Sequence, residues 1–236
     1  MTRWLVSING AEHYYPMFPI AFTSPDLRVE IGFEGRYYIS SPELDACTTI
    51  ESLRAKASEV VEVVNGLARL IWTAIPPSQA VIAIRIADDG SETKYILAVP
   101  RMAVLVGSSG TEEEAMLLQK DPDTPFPGAI RSNIVKKIAQ TSERTALRVL
   151  GIREPGWGDL YKLLEVIEQA VGRARIVKQG WATGKTLDRF TASANNFMAT
   201  GLEARHIKPW DPPANPMDID EARRLIHRLV VRWLAS

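Results

Sequence analysis

The apolar residues of this chain change period part-way along it, and that change limits the fold more than any single motif. Up to about residue 106 they come in short, partly β-branched bursts bounded by Gly, Pro and Asp. Beyond about residue 110 they recur at three- and four-residue steps, and no convincing strand pair remains. The pattern predicts an α+β fold. A mixed domain with antiparallel strands and one long helix occupies 1–110, and an all-helical bundle occupies 111–236. The joint falls in the Gly/Ser- and Pro-rich stretch 107–128.

In the first part, Arg3–Ile8, Arg28–Phe33 and the run after Gly35 read as strands, with Val29, Ile31 and Phe33 sharing a face. Ile50, Leu53, Ala57, Val60, Val61, Val64, Leu67, Ala68 and Ile71 then draw one apolar stripe. Thr48 or Thr49 offers its N-cap, Asn65-Gly66 marks a close contact or an early break, and Pro76-Pro77 is a hard stop. Asp88-Asp89-Gly90-Ser91 separates two β-rich runs and predicts a hairpin, and Met102–Val106 extends the β character. Helices are expected at Ala129–Gln140, Ser142–Leu150, Asp159–Val171, Thr186–Met198 and Ile219–Leu234. In the fourth, Leu187, Phe190, Ala194 and Phe197 form the buried stripe. Ala174–Gln179 offers at most a short strand without a visible partner.

Composition narrows the function classes. The 236 residues balance 28 Lys+Arg against 28 Asp+Glu, so a nucleic-acid partner is possible but not favoured by charge. The single cysteine, Cys47, allows no internal disulfide and suits a reducing compartment. His13, His206 and His227 lie far apart and form no zinc-spaced cluster, so neither a metal nor a cofactor is expected. Without a membrane-length apolar run or a leader-like N-terminus, the expected place is the cytosol, with no membrane partner. A neutral surface permits self-association, and a protein partner or a second copy is the expected company.

Three motifs invite chemistry. Gly180–Thr186 resembles a phosphate-binding loop, but only three residues separate Gly180 from Gly184-Lys185-Thr186 where four are needed. A glycine turn with Thr183 or Thr186 capping the next helix is the better reading. The last helix carries Arg223, Arg224, His227, Arg228 and Arg232 opposite its apolar side, with Asp218, Asp220 and Glu221 in its first turn. That is a solvated face or an anion-docking face. Finally, Asn195, Arg205, His206, Lys208 and Trp210 surround a proline loop, 211–216. Arg205 and His206 can hold a phosphate or carboxylate, or do acid–base work near neutral pH. Alternatively they satisfy loop carbonyls and lock the last helix in place, with Trp210 as an anchor; no acid is spaced to orient His206 toward Ser193.

Gly156–Gly172 and Gly180–Leu234, with the Arg189–Asn196 helix, the Ala204-Arg205-His206 corner, and Pro216-Met217 before a last helix ending in Trp233, resemble a C-terminal helical module of uncharacterised bacterial proteins. The resemblance covers about the last 80 residues and implies a bacterial source and a helical tail, with no reaction attached. The helical character is also similar to HEPN-type bundles. Their arginine–histidine motif is not matched: three residues separate Arg223 from His227, and Arg224 stands at the usual asparagine. The favoured expectation is a non-enzymatic binding, scaffolding or sensor protein. The runner-up is an RNA- or phosphate-directed enzyme using Arg205 and His206, and a third reading is nucleic-acid binding by the arginine face.

Overall fold

A computed structural model describes residues 3–72, 75–98, 141–151, 155–204 and 213–236. The chain is α+β and divides into two compact units, Met1–Lys136 and Lys137–Ser236. The expected joint at 107–128, the β run Met102–Val106 and the helix Ala129–Gln140 lie outside the described residues, as does the side chain of Phe33.

The first unit holds an antiparallel sheet in the order β2-β3-β4-β1-β5-β6. Its strands are β1 (Arg3–Asn9), β2 (Thr23–Ser24), β3 (Leu27–Ile31), β4 (Tyr37–Ser40), β5 (Gln79–Ile86) and β6 (Glu92–Ile96). β1 is central, and Trp4–Ile8 are all buried, so both sheet faces are covered there. Val6 pairs with Ile39 on one side and Ala83 on the other, and these three fill one face. Leu5, Tyr38 and Ile84 cluster on the opposite face. The hairpin turns as its sequence predicts: Gly90 takes φ 80°, and the Asp89 carboxylate accepts from the Ser91 amide at 2.9 Å. β3 departs from expectation. Val29 is buried, but Ile31 is 61% exposed because it ends the strand before the turn at Gly32–Gly35, where Glu34 adopts φ 58°.

α1 (Phe18–Ala21) follows β1, and α2 (Pro42–Asp45) and α3 (Ile50–Ile71) connect β4 to β5. Thr49 caps α3 in a reciprocal box with Ser52. The predicted stripe is buried from Leu53 to Ala68, with Ile50 and Ile71 half-exposed at the ends. From Val63 to Leu70 every residue is buried. The helix runs unbroken through Asn65-Gly66 because the Asn65 amide is occupied. It donates to the Ser78 carbonyl at 2.9 Å and accepts from the Ser78 N–H at 2.8 Å. A buried residue just past the proline stop thus has both backbone groups satisfied. Trp72 ends α3 and stacks on Phe18, with ring centroids 5.8 Å apart.

The second unit contains α4 (Thr141–Leu150), α5 (Trp157–Val171), α6 (Arg173–Lys178), α7 (Gly184–Ala194), α8 (Phe197–Thr200) and α9 (Ile219–Ala235). α5 is the hub, touching α4, α6, α7 and α9. Its Leu160, Leu163, Leu164 and Ile167 meet a core that includes Leu187, Phe190, Ile226 and Leu229. Two expectations are corrected. Arg173–Lys178, with Gln179 as its C-cap, is helical rather than extended: Gly172 and Gly180, both with φ above +60°, bound the run, and the Gly180 N–H helps close its last turn. The helix expected over Thr186–Met198 stops at Ala194. Asn196 leaves helical geometry and caps α8, its Oδ1 accepting from the Ala199 amide at 3.0 Å, so Phe197 opens a new helix instead of extending the stripe.

Candidate functional site

The corner between α7 and α9 is built by side chains from both helices. Arg189 and Ser193 are four residues apart on α7 and so share a face. Arg189 Nε donates to the Asn215 carbonyl at 2.8 Å and Nη2 to the Pro216 carbonyl at 3.1 Å. The same guanidinium grips Glu221 at two points, 2.5 and 2.8 Å. Ser193, fully buried, donates to the Arg189 carbonyl at 2.9 Å and accepts from the Met217 amide at 2.8 Å. Asp218 then caps α9 by accepting from the Glu221 amide at 2.7 Å. Loop carbonyls and amides next to the prolines are thereby paired, which is the locking task sequence reasoning gave to Arg205 and His206. Arg205, His206, Lys208 and Trp210 lie outside the described residues. Asn195 is the C-cap of α7, and its Oδ1 is buried with no partner among the described residues.

The glycine turn 179–184 serves as a helix-ending turn and a helix cap. Gly180 N–H bonds the Val177 carbonyl and Trp181 N–H the Ile176 carbonyl, both at 3.0 Å, closing α6 in a Schellman motif. Thr183 caps α7 by accepting from the Thr186 amide at 3.1 Å. The amides of Gly180, Trp181 and Thr186 are thus spent on helix ends.

The basic face of α9 divides. Arg223 is half-buried, donating to the Pro155 carbonyl at 3.2 Å and pairing with Asp220 at 3.1 Å. His227, one turn on, is also half-buried and engaged. Arg224, Arg228 and Arg232 are exposed and carry no side-chain partner among the described residues. Elsewhere in this unit Glu203 stands in for a missing cap: its carboxylate accepts from the Trp157 amide at the start of α5, at 3.3 Å.

Sequence reasoning missed a cleft in the first unit. It encloses about 500 Å³ over one face of the sheet, where Ser7, Ile82 and Ile96 lie in cross-strand register. Glu12, Tyr15, Arg36 and Tyr37 supply its polar groups. A knot of contacts, buried around Tyr15 and exposed at Glu12, fixes one wall. Tyr15 Oη accepts from the Ala11 amide at 3.1 Å and donates to Ser78 Oγ at 3.2 Å, while Glu12 Oε1 takes the Gly10 amide at 2.9 Å. Burial pushes the Tyr15 phenol up to about 12, so it stays protonated and serves as a strut. Gly10 adopts φ 127°, and a Cβ there would sit 2.7 Å from the Pro77 carbonyl oxygen. Asn9-Gly10 is a turn-forming pair in the sequence, a signal that sequence reasoning left unused.

Among the described residues, no group of His, Cys, Asp and Glu is placed to hold a metal ion, and no helix is long and apolar enough to cross a membrane. No family model, curated protein or solved structure matches the chain.

Proposed function

We propose that this chain is a non-enzymatic binding protein, acting as an accessory or sensor component in a bacterial cytoplasm. Its N-terminal unit takes a small, mainly apolar ligand into the cleft over β1, β5 and β6. The observation that carries this reading is the cleft itself. Its volume, about 500 Å³, is that of a small-molecule pocket, and it combines an apolar floor with a few polar groups. Ile96 is 72% exposed on that floor, apolar surface that a ligand would cover. Arg36 and Glu12 would orient a polar end.

Anilinonaphthalene sulfonate is a suitable probe, with a flat apolar body and one charged group. The expected result is saturable fluorescence enhancement with one site, weakened about tenfold by Ile96→Glu, since a tenfold change corresponds to about 1.4 kcal/mol and burying an Ile contributes more than that. Equal binding by the wild type and by Ile96→Glu would refute the assignment to this cleft.

A second reading keeps Arg205 and His206 as an acid–base pair acting on RNA or a phosphate ester. One observation favours it: the buried Asn195 Oδ1 is an acceptor unpaired among the described residues. Cleavage of a labelled RNA by the wild type, lost in Arg205→Ala/His206→Ala of unchanged melting temperature, would establish it. No cleavage by the wild type removes it.

A further inference from the structure

The zero net charge of the whole chain conceals two opposite halves. Met1–Lys136 carries 12 Lys+Arg against 17 Asp+Glu, net −5, and Lys137–Ser236 carries 16 against 11, net +5. Such asymmetry is a sign of a polyanionic partner for the basic half.

Within the basic half, α9 segregates its charge along the helix, with both acids in the first turn and all four arginines beyond it. After Glu221 it contains no acid, while Arg223, Arg224, Arg228 and Arg232 follow. The two acids that could neutralise Arg224 from one turn back are already taken: Asp220 pairs with Arg223, and Glu221 with Arg189. Arg224, Arg228 and Arg232 are spaced four apart, so they form one exposed ridge with steps of about 6 Å along the axis. The helix dipole accounts only for Arg232, in the last turn. Arg224 lies in the second turn, where that field gives a cation nothing. Trp233, which follows Arg232 on α9, is buried and so is not offered for stacking on bases.

We propose that the Arg224–Arg228–Arg232 ridge docks the phosphate backbone of double-stranded nucleic acid, without reading its sequence. Planar guanidiniums suit phosphate oxygens, and a regularly spaced row of them, inclined to the helix axis, suits a regular backbone rather than splayed bases. This proposal stands apart from the cleft and survives or fails independently of it.

The test is fluorescence anisotropy of a labelled mixed-sequence duplex with the full chain, from low to moderate salt. Three phosphate contacts give a log–log salt slope of about −2.7, a loss of roughly 40-fold between 50 and 200 mM salt. Arg224→Gln/Arg228→Gln/Arg232→Gln should abolish most of that binding and flatten the slope, with an unchanged circular dichroism melt. Arg175→Gln/Lys178→Gln/Lys185→Gln removes the same charge from other exposed positions and should keep the greater part of the affinity. The proposal is overturned if the wild type fails to bind the duplex, if the ridge variant binds like the wild type, or if the control variant loses as much. It is also overturned if the wild type binds polyglutamate but not the duplex, which would make the ridge a surface for an acidic protein.

Discussion

Arg189 on α7 and Glu221 at the third position of α9 are joined by a two-point ion pair, and the same guanidinium also bonds the Asn215 and Pro216 carbonyls. One side chain therefore fixes both the end of the proline loop and the start of the closing helix. An exposed ion pair alone contributes little, about 0–1 kcal/mol. The two carbonyls add charge-assisted hydrogen bonds to the pair, although both belong to exposed residues that water can also reach.

Arg189→Ala is therefore expected to lower unfolding stability by about 1–3 kcal/mol. Arg189→Lys should recover less than half, since one ammonium cannot reach the carboxylate and both carbonyls. Urea denaturation checks this; a midpoint unchanged in Arg189→Ala would contradict the fastening role.

In the first unit, Asn65→Ala would leave both backbone groups of Ser78 unpaired in a buried place. The expected cost is roughly 2–5 kcal/mol. The measurement is again chemical denaturation, and a loss below about 1 kcal/mol would mean that the pairing matters little.

Gly10→Ala meets two obstacles, the φ of 127° and the Pro77 carbonyl at 2.7 Å. Strain of this kind costs about 1–3 kcal/mol. Because Gly10 adjoins the cleft wall, dye affinity should fall along with melting temperature; a variant that melts normally would show that the wall moves freely.

Tyr15 gives a prediction in pH. Its phenol is raised to about 12 in the folded chain by burial, while an unfolded tyrosine titrates near 10. The folded state then holds a proton that the unfolded state has released. Stability from this group is complete below about pH 10 and is lost as pH rises toward 12, by roughly 3 kcal/mol in all. Burial raises Tyr38 as well, so the comparison needs Tyr15→Phe, whose alkaline stability loss should be smaller than the wild type's. Identical alkaline profiles would contradict the burial of the hydroxyl.

Local signals carried the parts of the fold that were legible in the sequence. The period change, the Thr49 cap and the Asp88–Ser91 turn are all set by residues within a few positions of one another. The misread places are those where one local signal competed with another. The stripe Leu187, Phe190, Ala194, Phe197 argued for a continuing helix, and the Asn196 cap prevailed. Ile31 kept strand alternation yet ended in solvent, because the turn at Glu34 cut the strand short. The relations that define the candidate sites are not local at all. Arg189 finds Glu221 across 32 residues, and the cleft floor exists only once Ser7 meets Ile82 and Ile82 meets Ile96. No spacing rule encodes that register before the sheet is assembled.

The central claim is that the N-terminal cleft is where this protein binds its ligand. Nitrogen-15 chemical-shift mapping of the full chain during titration with anilinonaphthalene sulfonate tests it most directly. The account predicts saturable shifts centred on the amides of Ser7, Ile82 and Ile96, which converge across three strands. Shifts confined to residues of Lys137–Ser236, with those three amides unmoved, would contradict it.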